Sequence, residues 1–198
     1  MLTRKYILTL LYSALFVGMA SAFHIYLHGT DEEAVRLLIR WTAKTAAVFF
    51  AGAFVASSVH YILKNKFSAS WLALRPQLGL IFTVFHSYHL LFLIFLQLMI
   101  HPVFSLAKSI SLLGGGMAYV FMYSMAITTF PIVKNRMTPQ RWKMLHTIGG
   151  YWIWFIFIRS YFKNVINKEQ YYVLFALFVL VLLLRLIQVI QTRRRTTS

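Results

Sequence analysis

Residues 75 to 91 read Arg75-Pro-Gln-Leu-Gly-Leu-Ile-Phe-Thr-Val-Phe-His86-Ser-Tyr-His89-Leu-Leu, and the apolar character continues to Ile100. A helix needs roughly 20 apolar residues to cross about 30 Å of hydrocarbon, so this run is long enough to span a membrane. His86 and His89 then sit where water does not solvate an imidazole. A polar group at that depth costs free energy unless it is paired, bound to a metal or turned to a wet cavity, and intramembrane ionisable residues usually carry function. Working outward, the chain offers six such stretches joined by short loops, near 6–27, 40–63, 75–100, 109–130, 142–162 and 171–191. The expectation is an all-α polytopic membrane protein, a six-helix transmembrane bundle forming a single domain over 1–198 in contact with membrane lipid. Composition agrees: 60% of residues are hydrophobic, mean hydropathy is +0.68, and 20 Lys and Arg accompany only 4 Asp and Glu in 198 residues. Little chain remains for an aqueous domain, so flavin, nicotinamide or ATP chemistry is expected from another polypeptide.

Charge placement sets the expected orientation, because Lys and Arg near helix ends stay on the cytoplasmic side. Arg4 and Lys5, then Lys64, Lys66 and Arg75, then Lys134, Arg136, Arg141 and Lys143, then Arg193, Arg194 and Arg195 fall on the face that holds both termini. Both termini are therefore expected in the cytoplasm, with the chain a multi-pass protein of the inner (plasma) membrane. Asp31, Glu32, Glu33 and Glu169 lie in the first and fifth loops, on the opposite side. The net charge of +16 reads as topology rather than nucleic-acid binding, since no nucleic-acid-binding pattern accompanies it. Ala20-Ser21-Ala22 resembles a signal-peptidase site, but the apolar run before it is long for a signal peptide, and an uncleaved first helix is expected. Cysteine is absent, which excludes disulfides, thiolate catalysis and Cys-held metal sites. Redox chemistry would need a bound cofactor.

The third and fifth stretches carry the informative polar residues. The fifth reads Arg141-Trp-Lys-Met-Leu-His146-Thr-Ile-Gly-Gly-Tyr-Trp-Ile-Trp-Phe-Ile-Phe-Ile-Arg159. Arg75 to His89 covers about 21 Å along a helix and His146 to Arg159 about 19.5 Å, each close to four turns, so each helix presents two polar groups on one face at two depths. Run in parallel, the helices bring Arg75 toward His146 near one surface and His89 toward Arg159 near the other. Two stacked haem positions would have this geometry. Plainer readings stand beside it. His89 can be an interhelical hydrogen-bonding residue, His146 an interfacial one. His24, His28, His60 and His101 read as interfacial, and the His24/His28 pair is a weak metal signal without a third ligand. Arg185 is expected to snorkel toward Arg193 to Arg195. Gly114-Gly115-Gly116 reads as close helix packing, whereas Gly149-Gly150 reads equally as packing or as room for a flat macrocycle. Trp41, Trp71 and Trp142 read as belt residues at the membrane boundary.

Leu78-Gly79-Leu80 followed nine residues later by His89-Leu90-Leu91, and Arg141-Trp142 followed by Leu145-His146, resemble the ferric reductase-like transmembrane domain family, most closely the small haem-binding membrane subunits of bacterial methionine sulfoxide reductase systems. The resemblance covers roughly residues 70 to 165. It implies b-type haem, one or two per chain, with His89 and His146 as axial ligands to iron and Arg75 matching an upstream arginine of those subunits. It also implies electron transfer across the membrane from a cytoplasmic flavoprotein or a quinol to an outer-face acceptor, the chain being the membrane subunit of an oxidoreductase. One departure matters. Where the family has a second histidine thirteen residues after His146, this chain has Arg159. A guanidinium ligates iron poorly but pairs well with a propionate, so a five-coordinate haem on His89 with Arg159 nearby is one outcome, and His86 is a reserve ligand one turn away. The competing expectations are a haem-free interaction or assembly subunit and, third, a small transporter using its intramembrane His and Arg.

Overall fold

In the computed structural model, Asp31 starts the second helix by accepting the Ala34 N–H on its Oδ1 at 2.8 Å, and Glu32 and Glu33 place negative charge on the first turn, where the helix dipole favours it. The structure describes residues 2–100, 106–165 and 169–197, with side chains for all of these except 2, 106–112, 193 and 195–197. His101 lies outside the described residues.

The helices are α1 (Leu2–His28), α2 (Glu32–Leu63), α3 (Lys66–Ile100), α4 (Leu106–Ile127), the short α5 (Pro131–Lys134), α6 (Pro139–Val165) and α7 (Tyr172–Thr197), with a 3-10 turn at Glu169–Tyr171 before the last. The described residues contain no strand. Short connections force successive helices to turn back on one another. At the α2–α3 turn, Lys64 takes a left-handed conformation (φ 49°) and its N–H returns to the His60 carbonyl. Asn65 Oδ1 then accepts from the Ser68 N–H at 2.8 Å while Ser68 Oγ accepts from the Asn65 N–H at 3.2 Å, a reciprocal cap that starts α3.

Among the described residues, four helical stretches are long and apolar enough to cross a membrane: Thr3–His28, Glu32–Leu63, Lys66–Ile100 and Glu169–Thr192. A multi-pass membrane protein follows. Six were expected. The stretch expected at 142–162 is helical, but His146, Gly149, Gly150, Arg159 and its Trp and Tyr residues lower its hydropathy, and the stretch expected at 109–130 is helical as far as Ile127, within α4.

α2 is the central element. Ala46, Ala47, Ala51, Ala56 and Ser58 are buried along it, small side chains that let neighbouring backbones approach, with Phe50 and Phe54 filling the space between. It packs most extensively on α3 and next on α7, while α4 lies on α6 and α1 on α3. Phe50, Phe82, Phe157 and Phe178 meet ring to ring at centroid distances of 5.2 to 6.2 Å and form the middle of the core. Leu11, Tyr12, Leu15, Phe16, Phe23 and Tyr26 leave the outer side of α1 apolar and exposed, a surface suited to lipid.

Several tryptophans tie parts of the bundle together. Trp71 Nε1 donates to the Gly52 carbonyl at 3.1 Å, Trp142 to Thr128 at 3.1 Å and Trp154 to Phe178 at 2.9 Å, each tying its helix to the backbone of another. Arg185 also differs from expectation. Instead of reaching for the helix end, it turns inward over the Phe54 ring at 4.4 Å and donates through one terminal nitrogen to Ser57 Oγ at 3.0 Å and to the Phe54 carbonyl at 3.3 Å, contacts that lipid would not offer, while its Nε is buried with no partner among the described residues.

Candidate cofactor cavity

Two cavities lie on opposite sides of the phenylalanine cluster. One is near the end that holds both termini and is called proximal; the other, toward the end that holds Asp31 and Glu169, is called distal. Phe82 connects them, lining the proximal cavity and stacking on His86 of the distal one with ring centroids 5.4 Å apart.

The distal cavity encloses about 760 Å³ between α2, α3, α4 and α6, within the range typical of small-molecule and cofactor sites. His86 and His89 both line it. Their rings stack at 5.0 Å, and Tyr119 stacks on His86 at 4.9 Å. His89 Nδ1 lies 3.0 Å from the Ile39 carbonyl, which accepts only a proton; Nδ1 therefore carries the hydrogen, and Nε2 keeps its lone pair. A backbone carbonyl fixing one imidazole nitrogen so that the other can bind metal is the usual arrangement for a ligating histidine.

Two polar atoms of this cavity's wall are buried with no hydrogen-bond partner among the described residues: His86 Nδ1 and Tyr161 Oη. Unsatisfied buried groups cost about 1–3 kcal/mol each, and two in one cavity point to a ligand that would satisfy them. Gly115 and Gly116 form part of the wall, and a Cβ on either would meet no heavy atom within 4 Å. The missing side chains leave open space there. The rim is basic: Arg36, Arg40 and Lys44 recur every four residues along one face of α2. Arg36 pairs with Glu32 at 2.6 Å, Arg40 Nε donates to the Arg36 carbonyl at 3.1 Å, and Lys44 donates to Gln170 Oε1 at 2.9 Å. The cavity thus combines a basic rim, aromatic walls and an imidazole with a free nitrogen lone pair. A flat amphiphile with acidic substituents fits it, and haem b is one.

The proximal cavity is smaller, about 200 Å³, and is lined by Arg75, Lys134, His146, Trp142, Gly79 and aromatic and methionine side chains. Arg75 and His146 do share a wall, but the site does not fit a macrocycle of haem size. His146 is also committed. Its ring stacks on Trp142 at 4.1 Å, and its Nε2 lies 3.1 Å from Thr128 Oγ1, whose own proton goes to the Ser124 carbonyl at 2.7 Å. With that proton committed, Nε2 donates to Thr128 in this arrangement.

The remaining residues singled out by sequence fall as follows. His86 and His89 come together, while His146 sits in the other cavity. Arg159 is exposed and is absent from the residues lining the distal cavity. His60 Nδ1 bonds Ser68 Oγ at 3.1 Å, and His24 Nε2 bonds the Ala34 carbonyl at 3.2 Å, with His28 stacked on it at 4.7 Å. No group of three metal-ligating side chains occurs among the described residues. The structure separates the glycines expected at helix-packing sites. A Cβ on Gly149 would lie 3.2 Å from Phe121 Cβ and one on Gly150 3.0 Å from Phe54, so that pair is the close-packing site, and the space belongs to Gly115 and Gly116. Sequence reasoning missed the basic rim. Its signal was present in the regular 36, 40, 44 spacing.

No family model matches this chain, and no curated protein matches it.

Proposed function

We propose that this is a b-type haem membrane protein that relays electrons within the bilayer, with one haem seated in the distal cavity. The observation that carries the reading is the cavity itself: two stacked imidazoles, one with Nδ1 already bonded to a carbonyl, beside two unsatisfied polar atoms in a space of cofactor size. His89 would hold the iron through Nε2, with His86 the neighbouring imidazole, and Arg36, Arg40 and Lys44 would pair with the propionates. Arginine pairs bidentately with carboxylates, and positive charge beside a haem raises its reduction potential. When bound, haem supplies one-electron chemistry. The chain's own residues hold it, exclude lipid from it with Phe157, Ile153 and Tyr119, and set its electrostatic surroundings. This reading keeps six crossings, with α4 and α6 spanning as part of the bundle, and places both termini in the cytoplasm of a cell bounded by an inner (plasma) membrane. The donor would be a separate flavoprotein or a quinol, and the acceptor a protein or metal at the outer face.

A haem-free interaction or assembly subunit is the second reading, favoured by one observation: His89 and His146 both already have interhelical hydrogen-bond partners. Haem quantified per chain after expression with ample haem separates the two. About one haem per chain with a b-type reduced-minus-oxidised spectrum supports the first, and protein that folds without haem under those conditions supports the second.

A further inference from the structure

The proximal cavity has a chemistry of its own. Arg75 and Lys134 stand at its terminal end, with Tyr6 bringing a phenol from α1, while Phe50, Phe54, Phe82, Met122 and Met125 line its deeper part. No carboxylate lines it, and all four acids of the chain lie near the opposite end of the bundle. The one salt bridge among the described residues is Arg36–Glu32, so neither cation is neutralised by a side chain there. Lys134 Nζ is held 4.9 Å over the Trp142 ring, which keeps the ammonium at the cavity rim. An arginine and a lysine converging without a counter-ion form an anion site, and the guanidinium fork matches two oxygens of a phosphate.

Depth and lining decide which phosphate. Arg75 lies nine residues into α3, about 13 Å along the helix from its start, close to the depth where lipid headgroups give way to acyl chains. A free anion would gain nothing from the phenylalanine and methionine side chains beyond the cations, whereas an amphiphile places its first methylenes against them. A volume of about 200 Å³ accommodates a phosphate and glycerol with those methylenes and leaves the rest of the tails to the bilayer. We propose that the proximal cavity binds the phosphate of an anionic phospholipid of the surrounding leaflet, held by Arg75 and Lys134 and packed beneath by Phe54, Phe82 and Met125. This site is independent of the distal cavity's occupant.

The test is native mass spectrometry of the full chain in detergent, titrated with phosphatidylglycerol, with phosphatidylcholine and with inorganic phosphate. Arg75→Gln is expected to weaken phosphatidylglycerol binding about tenfold, the loss that follows from one charge-assisted hydrogen-bonding group, and Lys134→Gln to weaken it severalfold. Lys143→Gln, an exposed basic residue outside the cavity, is expected to stay within about twofold of the parent. Gly79→Leu supplies a check that leaves the charges intact. Gly79 lines the cavity and has open space at its Cβ, so the new side chain is expected to fill the site and displace the lipid from protein that remains folded by circular dichroism. Equal loss in Lys143→Gln, retention in Gly79→Leu, or equal binding of phosphatidylcholine would overturn the proposal. Inorganic phosphate binding as tightly as phosphatidylglycerol would overturn the assignment to lipid.

Discussion

Gly149 and Gly115 are both helical glycines, yet they sit in opposite surroundings, one against Phe121 and Met125 and the other beside open space. Their alanine variants should differ in sign. Gly149→Ala forces a Cβ against Phe121 Cβ, which cannot swing away as the end of a long side chain would, and is expected to cost about 1–2 kcal/mol in a thermal or denaturant melt in detergent. Gly115→Ala meets nothing and is expected to be neutral or to gain up to about 1 kcal/mol from better helix propensity. Sequence could not distinguish the two, since a glycine carries no sign of what its absent side chain would touch. The histidines were partly legible. An imidazole inside an apolar run announces a need for a partner, but not that His89 would find the Ile39 carbonyl or that His146 would spend its Nε2 on Thr128. Arg159 shows the opposite failure: helical spacing put it on a shared face with His146, and the structure leaves it exposed while α2 supplies the basic residues at the cavity.

At the level of the element, helix ends carry stability that can be measured one residue at a time. Lys64 pays the steric cost of a left-handed backbone at the end of α2, a conformation glycine adopts without its Cβ clash, so Lys64→Gly is expected to stabilise the protein by about 1 kcal/mol. Asp31→Ala removes the side-chain acceptor of the Ala34 N–H and is expected to destabilise it by about 1 kcal/mol. Both are read from shifts in the detergent melt, and opposite signs between two caps of the same helix make the comparison robust to detergent effects. The long apolar helices were legible because their composition changes little along their length, although α2 and α3 begin eight or nine residues earlier than the apolar runs, at polar caps that hydropathy does not register. α6 was legible as a helix but not as an uninterrupted apolar one, because residues that line the interior are the residues that lower hydropathy. The 36, 40, 44 spacing was visible too. Such spacing gives the residues one helix face but does not say whether that face meets solvent or a cavity.

For the whole molecule, the absence of cysteine makes the number of crossings measurable, since any introduced cysteine is the sole thiol. The connection after α4 reports it directly. With α4 crossing, Asn135→Cys is expected to resist a membrane-impermeant maleimide added outside intact cells and to react after permeabilisation, whereas Thr30→Cys reacts from outside in both cases. Labelling of Asn135→Cys from outside would leave α4 and α6 on the outer side and reduce the crossings to four. The phenylalanine cluster between the cavities gives the bundle two compartments with separate chemistry, one ringed by imidazoles and a basic stripe, the other by two cations above an apolar floor. The central claim concerns the first of these. Its most direct test is the reduced-minus-oxidised spectrum, with haem quantified per chain, of the purified protein and of His89→Ala and His146→Ala. One haem in the parent, its loss or a shifted spectrum in His89→Ala, and near-parental haem in His146→Ala are expected. A parent without haem under ample supply, or haem that survives unchanged in His89→Ala and disappears in His146→Ala, would contradict the account.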